Sequence, residues 1–139
     1  MSFELFWKKG CKIELQSKIT RTNLTVLMTS FYKKAIKDEI LGPYFIYELG
    51  DDIRSEEWVE HIDLLADFWL AKMLGEKTYK GNFIGAHIKL PQISRESFDS
   101  WLKLFSLSVD EVFVPEIAEA FKKKATLFSL QFINNTLKI

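Results

Sequence analysis

The amino-acid sequence predicts a single all-α domain, and three observations support this fold class. Apolar residues recur at three- and four-residue spacing over long stretches, as they do along the buried face of a helix. Glycine and proline fall between these stretches, and no stretch alternates apolar and polar residues as a strand does. A chain of 139 residues can also bury one hydrophobic core without a disulfide or a structural metal.

The first predicted helix follows Thr22 and Asn23, two residue types that cap helix N-termini, and ends before Gly42-Pro43. Tyr32 borders its apolar face. The residues that form this face are Leu24, Leu27, Met28, Phe31, Ala35 and Ile36. The segment from Gly42-Pro43 to Gly50 is interpreted as a connection between helices.

A longer helix is expected to begin after Ser55, a capping residue followed by two glutamates, and to stop at Gly75. One face carries Trp58, His61, Ile62, Leu65, Phe68, Trp69 and Met73. Further apolar residues lie on its other sides, namely Val59, Leu64, Ala66, Leu70, Ala71 and Leu74. Such a pattern predicts a helix that is buried on more than one side.

Two more helices complete the prediction. Ser94 can cap a helix with the face Phe98, Trp101, Leu102, Phe105 and Val109. Pro115 opens a last helix with the face Ile117, Phe121, Ala125, Phe128, Phe132 and Ile133. Residues 83–90 allow two turns at most before Pro91, so we expect four main helices and a short fifth segment.

Composition excludes several classes of function. Nineteen basic and nineteen acidic residues are scattered along the chain, which leaves no basic stripe for nucleic acid or for an anionic membrane. Cys11 is the single cysteine, so a disulfide framework is excluded and a reducing cytoplasm fits best. The start, Met1 to Leu15, is too short and too interrupted by charges to be a signal peptide or a membrane span.

The candidate functional residues are polar groups within an unusually aromatic sequence. His61 and His87 are the two histidines, and each taken alone fits a structural imidazole bonded to a backbone carbonyl. Tyr32 and Trp101 carry donors that need partners when buried. Twelve Phe and four Trp fit either a Phe-rich core or a flat aromatic guest. No Gly-x-Ser-x-Gly turn and no phosphate-binding glycine loop is present.

A series of motifs in fixed order carries a resemblance to a known family. The motifs are Phe31-Tyr32, Leu41-Gly42-Pro43-Tyr44-Phe45, Glu57-Trp58-Val59-Glu60-His61, Phe68-Trp69, Leu74-Gly75, Tyr79-Lys80-Gly81, His87-Ile88-Lys89-Leu90-Pro91 and Phe98-Asp99-Ser100-Trp101-Leu102-Lys103-Leu104-Phe105. The series resembles the truncated haemoglobins of the third group over roughly residues 20 to 135. The Gly-Gly pairs typical of the other two groups are missing, as expected for the third.

The resemblance implies a two-over-two helical sandwich around haem b, with residues 20–139 as the globin domain and residues 1–19 as an N-terminal extension. It implies that His87 is the proximal ligand of a pentacoordinate iron and that Phe45 packs on the haem. The residues implied to line the haem are Leu65, Phe68, Phe98 and Leu102, and the distal pocket would consist of Tyr32, His61 and Trp101. Gly85 would let the backbone pass close to the ring.

The implied function is reversible binding of O2, and also of CO and NO, with O2 retention or detoxification of NO or reactive oxygen. A haem enzyme that acts as an NO dioxygenase or peroxidase, supplied by a separate reductase, is the alternative. A cofactor-free interaction module is a remote third. We expect a monomer. The role of Met1 to Leu15, docked or free to bind a partner, stays open, as do Lys80, Lys89 and Arg95 as partners of the haem propionates.

Overall fold

The structure, a computed structural model, describes residues 14–77 and 95–136, with side chains described as far as residue 131. These ranges contain five helices: α1 (Arg21–Ala35), α2 (Gly42–Leu49), α3 (Glu56–Leu74), α4 (Arg95–Val112) and α5 (Pro115–Thr136). The all-α prediction is confirmed. The described ranges contain no strand, and a single parallel bridge joins Gln16 to Phe113.

Helix α1 lies between α3 and α4, and α4 packs on α5. The core between these helices is largely aromatic, because its largest fully buried side chains are Trp58, Trp69, Phe31, Phe68, Phe105, Phe113 and Phe121. At the N-terminal end of α1, the Arg21 guanidinium pairs with the carboxylates of Asp63 and Asp67 on α3. These exposed pairs contribute little to stability, so aromatic packing is the main force that places α1.

Helix α1 begins two residues earlier than the sequence predicted. Thr20 is the N-cap, and its side chain accepts a hydrogen bond from the Asn23 backbone N–H. The side-chain amide of Asn23 instead donates a hydrogen bond to the Lys18 carbonyl oxygen, 2.9 Å away. The prediction of Thr22 or Asn23 as the cap was therefore wrong, because several capping residue types lie in a row and only the backbone geometry distinguishes them.

The structure has a helix, α2, where the sequence predicted a connection after Gly42-Pro43. Pro43 occupies the first turn, where its missing N–H costs no helical hydrogen bond. The turn before α2 is fixed by Asp38, whose carboxylate accepts from the backbone N–H groups of Ile40 and Leu41. A side chain at Gly42 would place its Cβ 2.4 Å from the Ile36 carbonyl oxygen, so α2 packs where only glycine fits.

The predicted ends of α3 are confirmed, but its burial is not. Ser55 caps the N-terminus, and Gly75 ends the helix in a left-handed conformation with φ of 73°. The buried residues are Trp58, Ile62, Ala66, Phe68, Trp69 and Leu70. Val59, Leu64 and Leu74 are about half exposed, so the expectation of burial on several sides was wrong for these three.

Helix α5 begins at Pro115, as predicted, and buries Phe121, Ala125 and Phe128. The side chains of Phe132 and Ile133 lie outside the described residues, as do Ser94 and the predicted short segment before Pro91. Ahead of α1, the Gln16 backbone donates to the Val112 carbonyl and accepts from the Val114 N–H, at 2.8 and 3.0 Å. The chain is thereby attached to the junction of α4 and α5.

None of the helices that the structure describes combines the length and the hydropathy that a membrane span requires.

Replacing Gly42 with alanine tests the close approach that positions α2. The new Cβ meets backbone atoms of Ile36, which cannot rotate away, so we expect a loss of about 1 to 3 kcal/mol in stability, measured as a lower thermal unfolding midpoint. The exposed Glu48→Ala, in the same helix, is the control and should leave the midpoint nearly unchanged. An unchanged midpoint in Gly42→Ala would show that α2 sits further from Ile36 than the structure places it.

Candidate functional site

The centre of the candidate site is a hydrogen bond between two helices. The Tyr32 hydroxyl on α1 lies 2.8 Å from Nε2 of His61 on α3. Tyr32 is 4% exposed and His61 is half-buried. Either group can donate, because the direction depends on which imidazole nitrogen carries the proton.

Aromatic rings enclose the Tyr32 side chain. Its ring centroid lies 4.8 Å from that of Phe31, 5.0 Å from those of Trp58 and His61, and 5.3 Å from that of Phe45. Burial in this apolar enclosure raises the pKa of Tyr32 well above its ordinary value, because the phenolate would lose its hydration. Tyr32 is therefore a neutral hydroxyl at physiological pH and keeps a proton to donate.

Trp58 holds this enclosure in place. Its indole N–H donates to the Gly50 carbonyl at 2.8 Å, and the side chain is fully buried. Gly50 follows α2 with φ of 85°, a conformation that favours glycine, so the bond ties the end of α2 to the start of α3. The sequence assigns Trp58 only to an apolar face. A buried indole N–H usually finds an acceptor, but here the acceptor is a backbone group that no sequence pattern reveals.

Trp101 approaches the site from α4 but is separated from Tyr32 by Phe31. The Phe31 ring lies 5.7 Å from the Trp101 ring and packs edge-on against both aromatics. Trp101 itself stacks on Phe105, which stacks on Trp69, with 5.0 Å between centroids at each step. The structure thus brings Tyr32 and His61 together directly and places Trp101 beside them through Phe31.

The predicted lining residues differ in exposure. Phe68 and Phe98 are buried, at 1% and 7% exposure, and Phe68 also packs on Trp69 and Phe128 in the core. The three that remain half-buried although they pack against the core are Phe45, Leu65 and Leu102. Of these three, Phe45 lies against the polar pair, with its ring centroid 5.3 Å from that of Tyr32 and 6.4 Å from that of His61.

The predicted iron ligand cannot be placed here. His87 lies outside the described residues, as do Gly85, Lys80 and Lys89. Arg95, the third candidate for a propionate partner, is exposed at the start of α4.

Helix α1 is packed between α3 and α4, and the Tyr32–His61 pair lies beside the half-buried ring of Phe45. A curated group 3 truncated haemoglobin, ctb of Campylobacter jejuni, is 35% identical over 120 residues, which span 86% of this chain and 93% of that protein. No family model matches.

A solved structure agrees with the sequence comparison. The crystal structure of a group III truncated haemoglobin from Campylobacter jejuni superposes with a TM-score of 0.83 at 34% identity and covers 90% of this chain and 97% of that one. The chain therefore belongs to the group III truncated haemoglobins, and the predicted truncated-globin fold is confirmed.

Alkaline unfolding tests the enclosure of Tyr32. An unfolded tyrosine ionises near pH 10, whereas burial raises the pKa of folded Tyr32, so the unfolded state alone loses its proton above about pH 10. The stability that depends on the neutral phenol is complete below that pH and is lost as the pH rises toward the folded pKa. Tyr32→Phe should therefore lose thermal stability less steeply between about pH 9 and 12 than the unaltered protein.

Tyr44→Phe is the comparison for this measurement, because burial and Glu48 raise the pKa of Tyr44 to about 12. It should reduce the alkaline loss as well, but without affecting the site. Equal slopes in the unaltered protein and in Tyr32→Phe would mean that the hydroxyl is hydrated.

Proposed function

We propose that this protein binds haem b through His87 as the fifth iron ligand and holds O2, CO or NO under a polar lid of Tyr32, His61 and Trp101. The use we propose is retention of O2, or detoxification of NO or reactive oxygen, rather than O2 delivery. The observation that carries this proposal is the neutral Tyr32 hydroxyl, held on His61 Nε2 inside an aromatic enclosure.

The residues present fit a haem group. Phe45, Leu65 and Leu102 offer half-buried apolar surface, Phe45 lies against the Tyr32–His61 pair, and the phenol and the imidazole supply hydrogen-bonding groups. A haem iron held by one histidine supplies an open coordination position for diatomic ligands. We place Phe45, Leu65, Phe68, Phe98 and Leu102 along the ring and His87 at the iron.

The role of the lid follows from the directions of its hydrogen bonds. When His61 Nε2 carries the proton, it donates to the Tyr32 oxygen and leaves the hydroxyl proton of Tyr32 free for a ligand. A ligand with partial negative charge gains from such a donor, and a hydrogen bond to a charged group is worth about 1.5 to 3 kcal/mol. That range corresponds to roughly ten- to a hundredfold in affinity, so O2 should leave slowly.

Slow release of O2 suits reaction with NO or with reactive oxygen better than transport does. Repeated turnover, as in an NO dioxygenase or a peroxidase, requires an electron donor, and we propose a separate reductase for this role. A cytoplasmic monomer fits the single cysteine and the balanced charge. Single-turnover mixing of the oxygenated protein with NO, with and without a cellular reductant, separates turnover from storage.

The assignment of His87 is tested by His87→Ala. The variant should lose stable haem retention, because an imidazole is the group that holds the iron, and the purified protein should lack a Soret band. His61→Ala is the matched control and should retain haem. If the two variants behave the other way round, the proximal and distal assignments are reversed.

The proposed lid is tested by O2 dissociation in stopped flow. Tyr32→Phe and Trp101→Phe each remove a donor and should speed O2 dissociation by at least about tenfold if the bond is charge-assisted. CO carries far less charge on its outer atom, so its dissociation should change much less. His61→Leu reports whether His61 gates the pocket, which we favour, or donates to the ligand.

Tyr44→Phe is the control for the loss of one hydroxyl from a neighbouring tyrosine, and its O2 dissociation should match the unaltered protein. Equal O2 dissociation rates in the unaltered protein and in both aromatic variants would show that the lid is packing alone. Protein without a Soret band after reconstitution with haem would overturn the haem proposal itself.

A further inference from the structure

A polar cluster lies on the opposite side of α1 from the Tyr32–His61 bond. The Lys34 ammonium contacts Ser30 Oγ on its own helix at 2.8 Å, and Ser108 Oγ and Glu111 Oε2 on α4 at 3.1 and 3.0 Å. It also lies 3.3 Å from the Ser30 carbonyl oxygen. We call Ser30, Lys34, Ser108 and Glu111 the Lys34 cluster. It joins α1 to α4.

The hydrogen bonds of the Lys34 cluster allow one arrangement of protons. Ser108 Oγ donates to the Leu104 carbonyl at 2.8 Å, so it must accept from Lys34. Ser30 Oγ donates to Glu111 Oε2 at 2.9 Å and likewise accepts from Lys34. Four acceptor atoms thus surround an ammonium that carries three protons, so every donor in the cluster has an acceptor. Neither methionine nor glutamine could replace lysine in this arrangement.

The Lys34 cluster lies on the face of α1 that packs on α4. Phe31 and Lys34 are three residues apart and share the face that packs on α4, whereas Tyr32 turns toward α3. With side-chain ends about 5 to 6 Å from a helix axis, a rotation of about 10° moves them by roughly 1 Å. A shift of that size would take the Tyr32 hydroxyl from 2.8 Å to beyond hydrogen-bonding distance of His61.

We propose that Lys34 is a positioning residue of the ligand pocket: with Ser30, Ser108 and Glu111 it fixes the rotation of α1 on α4 and so holds the Tyr32 hydroxyl on His61. This inference rests on the proposed role of Tyr32 as a donor to the bound ligand. Phe31 transmits the same orientation to Trp101, because its ring packs against both Tyr32 and Trp101.

The surroundings explain why this role falls to Lys34. Ser108 is fully buried, and a buried hydroxyl needs hydrogen-bond partners. Lys34 supplies one of these partners. Lys33 precedes Lys34 on the same helix but is exposed and makes no ion pair within the described ranges. Lys33 therefore serves as the control for loss of a lysine charge from the same helix outside the Lys34 cluster.

The test compares Lys34→Met with Lys33→Met in the haem-loaded protein. Two quantities are measured: O2 dissociation, and the ultraviolet resonance Raman bands of Tyr32, isolated by subtracting the spectrum of Tyr32→Phe. Lys34→Met should speed O2 dissociation about three- to tenfold and shift the Tyr32 bands toward those of a phenol without its histidine partner. Lys33→Met should change neither. Glu111→Gln keeps an acceptor oxygen, so it should give a smaller effect of the same sign.

General loss of stability is controlled by Val109→Ala, which removes buried volume from α4 beside Ser108 without touching the Lys34 cluster. If Lys34→Met folds poorly, Ser108→Ala is the milder variant and is read in the same way. Unchanged O2 dissociation and unchanged Tyr32 bands in Lys34→Met would overturn the proposal. Equal changes in Val109→Ala at a matched thermal midpoint would also overturn it.

The Raman bands report on Tyr32 and His61 whether or not Tyr32 contacts a ligand. If Tyr32→Phe leaves O2 dissociation unchanged, the proposed lid fails, while a band shift in Lys34→Met still supports the positioning of Tyr32 by Lys34.

Discussion

The hydrogen bond between Tyr32 and His61 is the interaction on which the candidate site depends. It joins two helices that otherwise meet through apolar packing and the exposed ion pairs of Arg21, and it is enclosed by the rings of Phe31, Phe45 and Trp58. Enclosure removes competing water, which strengthens the bond and keeps the phenol neutral. The same enclosure makes an unpaired hydroxyl costly, so Tyr32 must use either His61 or a bound ligand as its partner.

The rest of the fold fixes the two ends of this bond. His61 stands on α3, which starts at the Ser55 cap and is tied to the end of α2 by the Trp58–Gly50 bond. Tyr32 stands on α1, which is sandwiched between α3 and α4 and contacts α4 through Phe31 and Lys34. Aromatic residues therefore form both the core and the enclosure of the Tyr32–His61 bond.

Sequence patterns predict those parts of the fold that local chemistry determines. Ser55, Gly75 and Pro115 mark helix ends because capping and backbone conformation act within a few residues. Helix α2 was not predicted, because Gly42-Pro43 reads as a turn in the sequence. In the structure, Gly42 instead allows α2 to pack closely on the Ile36 carbonyl. The partial exposure of Val59 and Leu64 likewise depends on how the helices pack. The same is true of the position of Phe31 between Tyr32 and Trp101. The Tyr32–His61 pairing itself follows the family resemblance rather than any periodicity.

A double-mutant cycle on O2 dissociation tests the central claim, that Tyr32 and His61 act on the ligand as one coupled pair. Rates are measured for the unaltered protein, Tyr32→Phe, His61→Leu and the double variant. Residues in direct contact that share one function couple by about 0.5 to 3 kcal/mol. We therefore expect the effect of Tyr32→Phe on the rate to differ at least about twofold between protein that retains His61 and protein that carries His61→Leu. Effects that simply add would show that the two residues act independently, and would contradict the claim.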